Sequence, residues 1–235
     1  DAASVDSTDA IVDSALAFAA GPGIDILILN AGIYQTQLAV KATRQEREYI
    51  TRVKYQAPVE LAQSLILRAG WKARGYGQIV AVSSIMGLGP HSLGSTYAAS
   101  KAALKSYFHT LSTEEHAWLR VDVACPGATD TDLWKNSGNP DARGTEASKM
   151  TADRVAHLIL IGISGPYWMF YETWISKTAG LLYATLSHYT PTLFHVLIHI
   201  LGHVRIAVFE HENLDIVDAK TVIEKLVLIL LGRYP

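Results

Sequence analysis

Three residues of this 235-residue chain, Ser84, Tyr97 and Lys101, have the types and spacing of an acid–base catalyst that acts on an oxygen atom. Tyr97 and Lys101 are four positions apart, so on a helix they share a face. A tyrosine phenol has an ordinary pKa of about 10, and a neighbouring ammonium group favours the phenolate and brings that pKa closer to neutrality. The Ser84 hydroxyl can hydrogen-bond an oxygen on which charge develops. The chemistry that needs these groups is hydride transfer between a nicotinamide and a carbonyl or alcohol.

Alternating strands and helices would position these three residues. The predicted strands are apolar runs bounded by turn residues: 24–30, 77–84, 120–127 and a candidate at 172–176. The first of them is expected to be covered on both faces. The predicted helices have apolar residues at helical spacing: one capped by Thr8 or Asp9, then 43–74 with a kink at Pro58, 96–119 and 151–163. This alternation predicts an α/β fold, a Rossmann-like doubly wound parallel sheet that binds ligands at the carboxyl ends of its strands.

Composition narrows the classes of function. With 49% apolar and 18% charged residues the chain can bury one substantial core, and its formal charge of -2 does not favour nucleic acid as a partner. The single cysteine, Cys125, excludes an internal disulfide and is expected to be inert core. We assign 1–176 to the sheet domain and 177–235 to a helical apolar extension of it.

The extension differs from the rest of the chain. Residues 178–204 contain no Asp, Glu, Lys or Arg, and Pro191 interrupts them. Two short helices that cover a substrate or lie on a membrane fit this pattern better than one spanning helix, which remains the alternative. His195, His199 and His203 share a helical face, but no cysteine or HExxH motif completes a zinc site, so no metal is expected.

Four segments in order resemble the short-chain dehydrogenase/reductase family: LNAG at 29–32, GQIVAVSSIMG at 77–87, YAASK at 97–101 and CPGATDT at 125–131. The resemblance implies that Tyr97 is the general acid/base, that Lys101 tunes its pKa and binds the nicotinamide ribose, and that Ser84 orients the substrate. It also implies further cofactor contacts: Asn30, Ala31 and Gly32 on the adenosine side, Asp6 at the adenine, and Pro126, Gly127 and Thr131 beside the nicotinamide. Asp6 has an alternative interpretation as a helix cap.

Two departures from the family pattern stand out. The family's usual Asn in the proton relay falls on Lys54, and a second ammonium there is expected to disfavour a charged Lys101. The family's first strand, glycine-rich phosphate loop and first helix should precede Asp1, so the sequence is interpreted as N-terminally truncated, a fragment or an incomplete gene model. The chain as it stands is then expected to bind cofactor poorly and to leave its first strand as a bare apolar edge.

The resemblance implies NADP(H), rather than NAD(H), as cofactor. The later segments are similar to one subgroup of the family, which implies a lipophilic ketone or aldehyde substrate, steroid-like or retinoid-like, and its alcohol. That subgroup also implies peripheral association with the endoplasmic reticulum membrane, with the cytoplasm as the alternative. Resemblance to the family as a whole implies a homodimer through the Tyr97 helix. A catalytically impaired, membrane-associated binding or interaction protein of the same fold is the alternative function.

Overall fold

The computed structural model describes residues 5–19, 23–89, 92–114, 117–133, 150–164 and 169–172, without the side chains of residues 5–7 and 169–172. The predicted extension over 177–235, its histidines included, lies outside the described residues. The elements follow in this order: α1 (Val5–Phe18), β1 (Ile26–Leu29), a 3₁₀ turn (Ala39–Lys41), α2 (Arg44–Thr51), a π-helical turn (Arg52–Gln56), α3 (Ala57–Arg68), α4 (Trp71–Arg74), β2 (Gly77–Val82), a second 3₁₀ turn (Ile85–Gly87), α5 (Ser95–Thr113), β3 (Leu119–Pro126), β4 (Thr129–Asp130), β5 (Met150–Thr151), α6 (Ala152–Ser164) and β6 (Met169–Glu172).

Four of the strands form one parallel sheet in the order β1-β2-β3-β6. Their pairing confirms the predicted α/β fold with a parallel sheet. Because the strands are parallel, the carboxyl ends of β1, β2 and β3 lie at one edge, where the segments after them can meet. β4 and β5 pair separately, over two residues each.

Helices lie on both faces of the sheet, as a doubly wound architecture requires. Ile79 on β2 and Val123 on β3 belong to a core that includes Phe108 of α5, and all three are 0% exposed. Residues that alternate with these point to the other face. There the Gln78 amide donates a 3.2 Å hydrogen bond to the Ile163 carbonyl of α6.

A buried carboxylate, Asp122 on β3, is fully satisfied on that second face. It is 0% exposed, pairs with Arg120 at 2.9 Å and accepts a 2.6 Å hydrogen bond from the Gln78 side chain. A buried charge is tolerated when it is paired and hydrogen-bonded in this way.

Several predicted boundaries are wrong. α1 begins at Val5, so Thr8 and Asp9 lie inside the helix, and the Thr8 hydroxyl instead donates to Glu60 of α3 at 3.3 Å. α5 ends at Thr113 rather than at 119, because Leu119 already pairs with Gly77 in the sheet. The fourth strand is Met169–Glu172, set by its pairing with β3, and shares only Glu172 with the predicted segment.

β1 is the edge strand of the described sheet, and the prediction that both of its faces are covered is wrong. Leu29 is buried, whereas Ile26 and Ile28 are 43% and 50% exposed. The apolar residues of β1 are therefore covered on one face of the strand only. A parallel edge with exposed isoleucines is a template for pairing with another chain.

We therefore expect Ile28→Lys to reduce self-association of the chain, as measured by sedimentation velocity over a range of concentrations. Since Ile28 is half-exposed, the free energy of unfolding should change by no more than about 0.5 kcal/mol. Leu67→Lys is the matched control, because Leu67 is a large apolar residue that is 83% exposed on a helix, α3, and not on a strand. An equal reduction in both variants would show that added surface charge, not the edge, controls association.

Candidate active site

Ser84 lies two residues beyond β2, at the carboxyl edge of the sheet. Its side chain is buried, and its Oγ accepts a 3.2 Å hydrogen bond from the Met86 N–H, which caps the 3₁₀ turn. The same hydroxyl lies close enough to the phenol of Tyr97 to lower the pKa of that phenol. The structure thus brings together the two predicted oxygen-handling groups.

Tyr97 and Lys101 lie on α5, one helical turn apart, and both are buried. The Ser83 hydroxyl donates a 2.8 Å hydrogen bond to the Lys101 carbonyl, and Lys101 Nζ donates to the Val82 carbonyl at the end of β2. A Cβ on Gly87 would lie 2.8 Å from the Lys101 carbonyl carbon, so a glycine is needed for the 3₁₀ turn to approach α5 this closely. These contacts fix α5 against the strand that carries Ser84.

Burial dominates the ionisation of both predicted catalytic groups. It raises the pKa of Tyr97 to about 12, although the hydrogen bond from Ser84 opposes the rise. It lowers the pKa of Lys101 to about 8, with a weaker opposing interaction from Cys125. Lys101 Nζ lies 6.0 Å from the centroid of the Tyr97 ring. The expected lowering of the Tyr97 pKa by this ammonium is therefore not found, because loss of solvation dominates and the ammonium is not among the groups that shift this pKa.

Lys54 reaches the same site from the π-helical turn between α2 and α3. Its side chain is 3% exposed, and its Nζ lies 4.8 Å from the centroid of the Tyr97 ring. A Cβ on Gly32 would lie only 1.7 Å from that Nζ, so the amine occupies the space directly beside the Gly32 backbone. The predicted kink at Pro58 takes the form of this π turn, which ends just before α3 begins.

Repulsion between the two amines acts on Lys54 rather than on Lys101. Burial, and then the charge on Lys101, lower the pKa of Lys54 to about 6. Because Lys54 gives up its proton first as the pH rises, Lys101 titrates beside a neutral amine. The expectation that Lys54 would disfavour the charged form of Lys101 is thus reversed, because the charge on Lys101 lowers the pKa of Lys54.

Tyr34 is a site residue that sequence reasoning missed. It is 3% exposed, and its ring meets that of Tyr97 edge to face with 4.8 Å between centroids. Met86 packs with both rings. The available signal was an aromatic residue two positions after LNAG, at the carboxyl end of a strand.

The other predicted cofactor residues lie near the same edge of the sheet. Asn30 and Ala31 are exposed and Gly32 is partly exposed just after β1, while Pro126 ends β3 and Gly127 follows it, both partly exposed. Thr131 is exposed beyond β4. Asp6 lies within α1, and its side chain is outside the described features. The cofactor roles of these residues remain predictions.

The donors at this edge fit a nicotinamide nucleotide. Lys101 uses one of three ammonium hydrogens on Val82 and keeps two, which suit ribose hydroxyls. Asn30 and Ala31 are exposed after β1, whereas the space beside Gly32 is filled by the Lys54 amine.

Among the residues that the structure describes, no helix has the length and apolar character needed to cross a bilayer. In the same residues no group of three His, Cys, Asp or Glu side chains is placed to hold a metal ion.

Comparison with known proteins gives a consistent result. Residues 1–142 match the family model described as short chain dehydrogenase. The chain is 30% identical over 198 residues to human dehydrogenase/reductase SDR family member 7, an alignment that covers 80% of this chain and 56% of the human protein. The chain thus spans little more than half the length of this relative.

Solved structures show the same fold. A short-chain dehydrogenase from Burkholderia cenocepacia in complex with NADP has a TM-score of 0.68 at 20% identity, covering 84% of this chain and 76% of that one. One from Sphingobium yanoikuyae in complex with NADPH has a TM-score of 0.65 at 23% identity, covering 80% and 73%.

We expect Lys54→Met to stabilise the fold, by about 1–4 kcal/mol at pH 6, because methionine fills the space without a charge to desolvate. The pKa of Lys54 is about 6 in the fold and 10.5 in its absence, so between these values the folded state binds fewer protons. The free-energy cost of burying the Lys54 charge is therefore fully present below pH 6 and decreases as the pH rises towards 10. Urea unfolding at pH 6 and pH 9 should therefore show a larger gain at pH 6.

The matched control is Lys72→Met, because Lys72 is exposed on α4. The free energy of unfolding of this variant should equal that of the native chain at both pH values. A gain from Lys54→Met that is the same at pH 6 and pH 9 would attribute it to packing and contradict the electrostatic explanation.

Proposed function

Because the chain belongs to the short-chain dehydrogenase family, we propose that the full protein is a nicotinamide-dependent oxidoreductase that interconverts a carbonyl compound and its alcohol. The observation that carries the proposal is that the buried hydroxyls of Ser84 and Tyr97 interact at one edge of the sheet, with Lys101 one turn further along α5. These groups can hold an oxygen atom and exchange a proton with it.

Each residue has a distinct role in the proposed reaction. When bound, the nicotinamide supplies or accepts the hydride at the carbon atom. In the direction of reduction, Tyr97 donates its phenolic proton to the carbonyl oxygen, while Ser84 donates a hydrogen bond to that oxygen and stabilises the charge that develops there. Lys101 binds the ribose and holds a positive charge near the phenolate that remains.

The protonation states suit the start of a reduction. A Tyr97 pKa of about 12 keeps the phenol protonated at neutral pH, and a Lys101 pKa of about 8 keeps most of the ammonium charged. In the direction of oxidation, Tyr97 must first lose its proton, which becomes easier when a cation is close to the phenolate.

The proposal extends to NADP(H) as cofactor and to a lipophilic ketone or aldehyde as substrate. Support for NADP(H) comes from two similar solved structures, one in complex with NADP and one with NADPH. Support for a lipophilic substrate and for association with the endoplasmic reticulum membrane comes from the sequence of 178–204, which has no charged residue. A homodimer through α5 is part of the same proposal.

A second candidate function is a binding or interaction protein that keeps the fold without turnover. Lys54 favours this candidate, because its amine occupies the space beside Gly32, a residue predicted to face the cofactor. The two candidates differ in whether removal of the Tyr97 hydroxyl changes a measurable rate.

We expect Tyr97→Phe in the full protein to lower kcat by about 10²–10⁴-fold, since the reaction loses its proton donor, while the Kd for NADPH stays within about twofold. The rate is followed as NADPH oxidation with a panel of lipophilic ketones and aldehydes. Tyr49→Phe, which removes a hydroxyl from a 48% exposed tyrosine on α2, should leave kcat unchanged. Retention of most of the activity by Tyr97→Phe would exclude the proposed role of the phenol.

A further inference from the structure

We infer that Lys54 forms an anion-binding position inside the site, which takes a carboxylate or phosphate group of a bound ligand. The inference rests on the proposed function for the location of that ligand and adds a negative charge to its chemistry. It concerns Lys54, which departs from the family pattern, and not the residues that match that pattern.

Lys54 is buried without a counter-charge. Its side chain is 3% exposed, and the ion pairs formed among the described residues use arginines and leave Lys54 and Lys101 out. The neighbouring cation, Arg52, is already paired with Glu60. A buried ionisable group is ordinarily paired or held neutral, so Lys54, which has no carboxylate partner among these ion pairs, stays mostly neutral until an anion pairs with it.

The Lys54 amine lies between the Tyr97 ring and the Gly32 backbone. Nζ lies 4.8 Å from the centroid of the Tyr97 ring and fills the space that only a glycine at position 32 leaves open. An aromatic face stabilises a cation at this distance but provides no hydrogen-bond acceptor for its protons. The three donors of a protonated Lys54 are thus held close to the predicted reaction centre.

The described groups around the amine include no carboxylate. Lys101 and Tyr97 face it from α5, and Tyr34 packs on the Tyr97 ring from the segment after β1. None of these three neighbours is an acidic residue that would repel an anion. Lys101 adds attraction, because its Nζ lies 6.0 Å from the centroid of the same ring.

Anion binding at this position must take up a proton. Burial and Lys101 lower the pKa of free Lys54 to about 6, so at pH 7 the amine is mostly neutral. An anion in contact favours the charged form, and the amine then gains one proton from solvent as the ion pair forms. Uptake should be close to one proton at pH 7 and should fall towards zero at pH 5, where free Lys54 is already charged.

Isothermal titration calorimetry of this chain, in two buffers of different ionisation enthalpy, measures that proton directly. The probes are phenylglyoxylate, which has a ketone beside a carboxylate, acetophenone as its matched neutral ketone, and inorganic pyrophosphate. We expect proton uptake with at least one of the two anions and none with acetophenone. Lys54→Met should weaken binding of that anion at least tenfold and leave acetophenone unchanged, while Lys72→Met, on exposed α4, should change neither.

The two anions distinguish the source of the charge. Proton uptake with pyrophosphate that excess NADP displaces would assign the position to a cofactor phosphate, whereas uptake with phenylglyoxylate would assign it to a substrate carboxylate. If neither anion binds the native chain with proton uptake at pH 7, or if Lys54→Met binds them as tightly, the inference is overturned. These measurements need no turnover, so their failure is distinct from a failure of the oxidoreductase proposal.

Discussion

The contact between α5 and the carboxyl end of β2 is the constraint on which the site depends. Ser84 comes from the strand side, and Tyr97 and Lys101 come from the helix, so their relative positions are set only by how the two elements pack. The packing is fixed by backbone carbonyls: Lys101 Nζ donates to Val82, and the Ser83 hydroxyl donates to the carbonyl of Lys101 itself. Lys101 thus holds the helix in place with the same ammonium group that is proposed to act in the reaction.

Loss of solvation, not local charge, controls the ionisation of this site. The two amines near the Tyr97 ring have lowered pKa values and the phenol has a raised one, which is the pattern that burial produces in bases and in acids alike. At neutral pH the site therefore holds one neutral amine, one ammonium and one neutral phenol. Any ligand that brings negative charge would change all three equilibria in the same direction, towards positively charged amines and a protonated phenol.

The sequence was sufficient where local periodicity decides the outcome and insufficient where packing does. The four-residue spacing of Tyr97 and Lys101 predicts a shared helical face, and the apolar runs around Ile79 and Val123 predict buried strands; both predictions are confirmed. The exposed face of β1 was not readable from its own residues, because an apolar run looks the same whether one or both of its faces are covered. The direction of the shift in the Tyr97 pKa was missed for a similar reason. The spacing indicates that Lys101 is near, but not how far the surroundings exclude water.

The π-helical turn explains how Lys54 can replace the family's usual Asn without loss of the local backbone. Pro58 has no N–H, so it cannot donate to the carbonyl of Lys54, its partner in a regular α-helix. A π turn accommodates the mismatch by shifting hydrogen bonds to the fifth residue, as the Ala57 N–H does with the Arg52 carbonyl. The distortion follows from the proline and not from the side chain at position 54. That side chain is therefore released from a structural role, and a long amine there can extend to Gly32 and the Tyr97 ring, where a short amide would end within the turn.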